Sequence, residues 1–246
     1  MTELTKLDWS GWRRVLVVVA HPDDAEYGLS AAVQMWTRAG VEVSYLLLTR
    51  GEAGMQRPPE EAGPLRSAEQ AAACDAVGVS ELVMLDYPDG HLTHSPEMCR
   101  DIARQVRRLR PDVVIATNYD VEAYGGLNQP DHRVAGLATV DGTLAAGNRW
   151  IFRDLCEYEG LEPWTPSLLL VAGAAMPTHA VGVDELACEA AVRSLACHRE
   201  YLADLPGHPA PQDFIPAMLT AEGALIGEPM AVSFRVHQLG GIAAGE

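Results

Sequence analysis

Short apolar runs recur along the chain, with amphipathic stretches between them. Residues 15–20, 43–49, 82–85, 113–118 and 168–172 are β-branched or leucine-rich and nearly continuous in apolar character. That is the pattern of strands covered on both faces. Residues 24–39, 65–77, 96–109, 131–146 and 184–199 read as helices. In the third of these, Met98, Ile102, Val106 and Leu109 fall at helical spacing and Pro111 stands just past the end. A last strand is expected near 231–236. Strand and helix in alternation predict an α/β fold, a single-domain Rossmann-like layer with a mostly parallel sheet and helices on both faces. Two stretches read as surface loops, 51–64 (GEAGMQRPPEEAGP) beside the second strand and 205–216 (LPGHPAPQDFIP) before the last. Residues 240–246 read as a frayed tail. No repeat, low-complexity tract or linker interrupts the pattern, so residues 1–246 are expected to form one domain.

Charge narrows the partners. The chain carries 18 basic against 34 acidic side chains, a net charge of −16, and only 6% of its residues are aromatic. A phosphate backbone would be repelled and unstacked bases would find little to lie on, so nucleic acid is excluded as a partner. No apolar run approaches the roughly 20 residues of a membrane span, which excludes a membrane partner too. Arg13 and Arg14 precede the run at 15–20, but that run is shorter than the core of a secretory signal and leads into His21-Pro22-Asp23-Asp24 rather than a small-residue cleavage site. A cytoplasmic location is expected. Cys74, Cys99, Cys156, Cys188 and Cys197 are odd in number and form no CxxC pair, which fits small core residues in a reducing compartment.

The chemistry concentrates in two places. AHPDDAE (20–26) directly follows the first strand, at the edge where open α/β sheets bind ligands. His21 and Asp24 can meet at one point across a strand-to-helix turn, with Asp23 facing that point from the side. A helix N-cap would account for one aspartate, but it explains neither the imidazole nor the second carboxylate. The second cluster, Asn128-Gln129-Pro130-Asp131-His132, opens a predicted helix after the strand at 113–118. His132 alone reads as a capping or surface histidine. Joined to the first cluster it completes a His2Asp set with one position open for water, as in hydrolytic zinc sites.

With these motifs in hand, the sequence resembles the PIG-L/LmbE-like zinc-dependent de-N-acetylases, amidases acting on N-acyl amino sugars. The resemblance runs in order through AHPDDAE (20–26), TRGEAG (49–54), RSAEQAAACDAVGV (66–79), LDYPDG (85–90), RPDVVIATN (110–118) and QPDHRVAG (129–136), with a weaker echo in SLACHREYL (194–202). It implies that His21, Asp24 and His132 bind Zn2+ and that Asp23 is the general base that activates water. It further implies that Arg66 holds the sugar or aglycone, against the alternative of a solvated helix-start arginine. Glu52, in the TRGEAG segment, is either a supporting residue behind the site or an exposed loop carboxylate. One position departs from the family. Many members carry histidine three residues before the last ligand, where it polarises the acyl carbonyl or stabilises the oxyanion; here it is Gln129, the expected catalytic and substrate-binding residue at that place, which can hold the oxyanion by a hydrogen bond but supplies neither a proton nor a charge. Asp131 remains.

The expected function is therefore metal-dependent hydrolysis of an N-acyl, most readily an acetyl, group from a small amino-sugar molecule. Other divalent metals share such donors. Alternatives are a mycothiol-conjugate-type amidase, a 2-His-1-carboxylate iron oxygenase, and a non-catalytic sugar-binding member of the same fold. No GxGxxG, GxxxxGK[ST] or GxSxG supports a nucleotide binder or a serine hydrolase. Tryptophans and the long loop leave room for a homo-oligomer interface.

Overall fold

The computed structural model describes residues 4–239, so the tail at 240–246 lies outside the described residues. In chain order the elements are β1 (Thr5–Lys6), β2 (Arg14–Val19), α1 (Ser30–Arg38), β3 (Glu42–Leu47), α2 (Pro59–Val77), β4 (Glu81–Met84), α3 (Pro96–Leu109) and β5 (Val113–Thr117). A small hairpin, β6 (Glu122–Ala123) and β7 (Gly126–Leu127), precedes α4 (Pro130–Ala146) and α5 (Arg153–Glu157). The chain then forms β8 (Leu168–Ala172), β9 (His179–Gly182), α6 (Glu185–Ala196), α7 (Arg199–Ala203), α8 (Pro211–Gly223) and β10 (Ala231–Gln238).

Eight strands form one sheet in the order β1-β9-β10-β8-β5-β2-β3-β4. Strands β4, β3, β2, β5 and β8 are parallel, and β10 runs antiparallel between β8 and β9. The expected mostly parallel α/β layer is the observed one. From β2 the chain builds outward through β3 and β4, then returns to the other side of β2 as β5. That reversal is a topological switch point, and it opens a crevice at the carboxyl ends of β2 and β5.

The period-two alternation of β2 assigns its neighbours. Val15, Val17 and Val19 face one buried layer with Trp36 of α1, Leu195 of α6 and Leu219 of α8, while Leu16 and Val18 face the other with Met98 and Ile102 of α3 and Ala135 and Ala138 of α4. The basic run near the end of α3 is spent internally. Arg107 is 1% exposed and donates to the carbonyls of Ala146, the last residue of α4, and of Asn148 and Ile151 beyond it, while Arg108 pairs with Glu81.

Helix boundaries differ from expectation where local chemistry overrides the apolar pattern. The helix expected from residue 24 begins only at Ser30, because Asp23 has a φ of +91° and the Asp24 carboxylate turns back to accept the N–H groups of Ala20 and His21. Both expected loops are partly helical. Pro59 and Pro211 occupy first-turn positions with Glu60, Glu61 and Asp213 close behind, a start signal that reads as loop composition when taken alone. The helix expected over 184–199 stops at Ala196, and α7 follows as a separate turn.

Candidate active site

The residues after β2 and those opening α4 meet at the switch point. His132 Nε2 lies 3.0 Å from Asp24 Oδ1, and His21 Nδ1 lies 3.7 Å from Asp24 Oδ2. One donor atom from each of the three residues falls within 4.8 Å of the others. Two imidazoles and one carboxylate at this spacing form a set that can hold a divalent cation.

Each imidazole is held in a defined tautomer from behind. His21 Nε2 faces Asp89 Oδ1 at 3.0 Å and Asp131 Oδ2 at 3.3 Å. Carboxylates only accept, so Nε2 carries the proton and the Nδ1 lone pair is left on the Asp24 side. Asn128 Nδ2 donates to the carbonyls of Asn118 and Asp120, which turns Oδ1 toward His132 Nδ1 at 3.0 Å. His132 Nε2 is thereby free to face Asp24. Asp131 is itself fixed by the N–H groups of Gly90 and Leu92.

Electrostatics agree with a site built around a cation. Burial opposes charging of both histidines, but Asp131 and Asp24 outweigh it at His21, and Asp24 outweighs it at His132; both imidazoles are held above their ordinary value. Burial would raise the Asp24 carboxyl, yet His132 and His21 hold it well below the carboxylate range. The cluster attracts positive charge.

Asp23 has a different environment. Its side chain is buried, with Arg66 Nη2 at 3.4 Å from Oδ1, and burial pushes its carboxyl up to about 6 despite that arginine. A carboxyl shifted toward neutrality beside a ligand set is suited to taking and returning protons. The left-handed backbone at Asp23 is supported by Gln70, whose Oε1 accepts the Asp23 N–H at 2.9 Å while its Nε2 donates to Glu26 at 3.1 Å. Gln70 is 1% exposed. Gln70→Leu strands a buried N–H, so it is expected to lower stability by about 1–3 kcal/mol in urea unfolding. Wild-type stability would mean that the turn does not depend on Gln70.

Arg66 is buried, unlike the solvated arginine of the alternative reading. It is 2% exposed, donates to the carbonyls of Gly51 (3.0 Å) and Pro22 (2.6 Å), and lies over the Tyr201 ring. These contacts join the two loops around Asp23. Gln129, the N-cap residue of α4, is exposed and makes no capping hydrogen bond with its side chain. Glu52 proves to be the supporting residue rather than an exposed carboxylate: its Oε1 accepts the N–H of Asp89, the residue that meets His21. Sequence reasoning passed over Asp89, Asn128 and Gln70. Asp89 stands in the LDYPDG segment, and Asn128 lies one helical turn before His132, which is the one signal that pointed to it.

A cavity of about 640 Å³ opens beside the cluster, lined by Asp24, His132, Tyr124, Tyr201, Phe214 and Met218 among others. Tyr124, from the β6–β7 hairpin, has its phenol pushed up to about 12 by desolvation, with the Asp24 charge adding to it. It is a neutral hydrogen-bond donor near pH 7.

Fold and cluster together define an α/β protein with a candidate metal centre at the switch point of its sheet. The chain belongs to the PIG-L family, described as GlcNAc-PI de-N-acetylase, which matches residues 16–142. It is similar to the diacetylchitobiose deacetylase of Thermococcus kodakarensis, with 30% identity over 153 residues, 58% of this chain and 56% of that protein. It is also similar to the 1D-myo-inositol 2-acetamido-2-deoxy-alpha-D-glucopyranoside deacetylase of Kineococcus radiotolerans, with 31% identity over 208 residues, 68% of this chain and 56% of that one. The chain thus spans about half the length of these curated relatives. Among solved structures, the N,N'-diacetylchitobiose deacetylase from Pyrococcus horikoshii shares the fold with a TM-score of 0.83 at 22% identity, over 94% of this chain and 85% of that one. The conserved protein TT1542 from Thermus thermophilus gives 0.76 at 27% identity, over 94% and 98%.

Proposed function

We propose that the protein is a metal-dependent hydrolase that removes the N-acetyl group of a small amino-sugar molecule. The observation that carries this reading is the meeting of His21, Asp24 and His132 beside the buried, proton-accepting Asp23, with Asp24 and His132 lining one cavity. The family and the amino-sugar deacetylases among its relatives support it. His21 Nδ1, Asp24 and His132 Nε2 would hold the ion, with zinc the first choice for this donor set. When bound there, a divalent ion supplies Lewis acidity and lowers the pKa of nearby water.

The chain's own residues do the rest. Asp131, Asp89 and Asn128 keep the two imidazoles oriented. Asp23 takes a proton from water as its oxygen attacks the amide carbon. Tyr124 and Gln129 are the candidates to donate a hydrogen bond to the acyl oxygen as charge develops there. As the C–N bond breaks, Asp23 returns the proton to the departing nitrogen, so the products are acetate and a free amine. No helix among the described residues is long and apolar enough to cross a membrane. All five cysteines are free, which supports a cytoplasmic setting.

The test is a panel of N-acetylglucosamine and its glycosides, followed for acetate and for free amine in equal amounts. Equimolar release is expected from at least one member. No release from any member, with metal present, would contradict the reading.

A further inference from the structure

The cavity is far larger than an acetyl group requires. At about 640 Å³ it falls among pockets that enclose ligands of drug size. Asp24 follows β2 and Ser233 lies on β10, and both line the cavity. The order β2-β5-β8-β10 separates these strands by three spacings, about 14 Å at the usual inter-strand distance. The cavity therefore runs along the carboxyl edge of the sheet, away from the candidate metal centre.

The cavity has a definite chemistry. Tyr27, Leu29, Phe214 and Met218 give it apolar walls, and the rings of Tyr27 and Phe214 meet edge to face at 5.7 Å. Glu222, on the last turn of α8, closes the β10 end. One of its oxygens accepts the Ser233 N–H. Burial raises the Glu222 carboxyl. No lysine or arginine lines the cavity among the described residues.

An aliphatic acyl tail would cover that carboxyl while offering it no hydrogen bond, at a desolvation cost. An anionic group would meet Glu222 with no lysine or arginine to offset it, and His208, which also lines the cavity, is engaged by the Tyr27 hydroxyl at 2.8 Å. A ring with apolar faces and a hydrogen-bond donor on its far side satisfies both walls and end. We infer that this cavity receives the aglycone of the substrate and that Glu222 selects one bearing a hydroxyl or ammonium donor, against anionic aglycones. The inference rests on the deacetylase reading for the reaction, and on the cavity alone for the selectivity.

The experiment compares the wild-type protein with Glu222→Gln and Glu222→Leu on four N-acetylglucosaminides. Their aglycones are methyl, a hydroxylated ring, an aminated ring and a carboxylated ring. Wild type is expected to favour the hydroxylated and aminated rings over methyl by about 10-fold in kcat/KM, the worth of a hydrogen bond to a charged group, and to use the carboxylated ring least. Glu222→Leu should lose both preferences. Glu222→Gln should keep the preference for hydroxyl and lose that for ammonium, which separates the two kinds of donor. An unchanged order in Glu222→Leu, or a carboxylated ring used as well as the others, would overturn the inference. Calorimetric binding of the same four glucosaminides as free amines tests it without turnover. The same order of affinities upholds the cavity's selectivity even where no acetate is released, in which case only the deacetylase reading falls; equal affinities overturn the selectivity itself.

Discussion

Asp23→Asn is expected to lower kcat for acetate release by about 10²–10⁴-fold while metal content stays at the wild-type level. The carboxyl is buried and raised to about 6, close to the pH at which a base must be both free and strong enough to act. The amide of asparagine has nearly the same shape and can still accept from Arg66, but it cannot take a proton from water or return one to the leaving nitrogen. The backbone tolerates the change. Asp23 sits at a φ of +91°, and asparagine is among the few residues that visit positive φ readily. Loss of activity would therefore reflect lost proton transfer rather than a broken turn. Turnover near the wild-type rate, with metal retained, would reduce Asp23 to a residue of the turn.

His132→Ala is expected to remove most of the bound metal and with it nearly all activity. The variant leaves Asp24 without the imidazole that faces it at 3.0 Å, so two donors remain where three converged. The fold should survive. His132 lies in the first turn of α4 with its side chain 15% exposed, and alanine is the best helix former. Elemental analysis for metal and circular dichroism on the same preparation check both halves of the expectation. Full metal occupancy in this variant would take His132 out of the ligand set.

The parallel half of the sheet was legible because each of its central strands is buried on both faces and reads as an unbroken apolar run. The other edge was harder. β1 has two residues and β9 four, too few for a period to be seen, and β10 owes its antiparallel place to β8 and β9 rather than to any local signal. The two polar clusters stood out because imidazole and paired carboxylates directly after strands are costly without a shared purpose. Their supports did not. Asp89 and Gln70 are single polar residues whose partners are brought to them by the fold, and a sequence carries no mark of that; only Asn128, four residues before His132, stood near its partner. Arg66 shows the converse. An arginine near the start of a helix looks solvated in sequence, but here the loops at Pro22 and Gly51 close over it and engage both terminal nitrogens.

The central claim is that one ion, held by His21, Asp24 and His132, and the carboxyl of Asp23 act on one amide. It is tested most directly by stripping metal from the protein with a chelator and adding zinc back in fractions of an equivalent, with acetate release measured from an N-acetylglucosaminide that the untreated protein hydrolyses. The account predicts no release from the stripped protein, then a rate that rises in proportion to added zinc and levels off at about one ion per chain. Full activity in the stripped protein, or none at one equivalent, would contradict it.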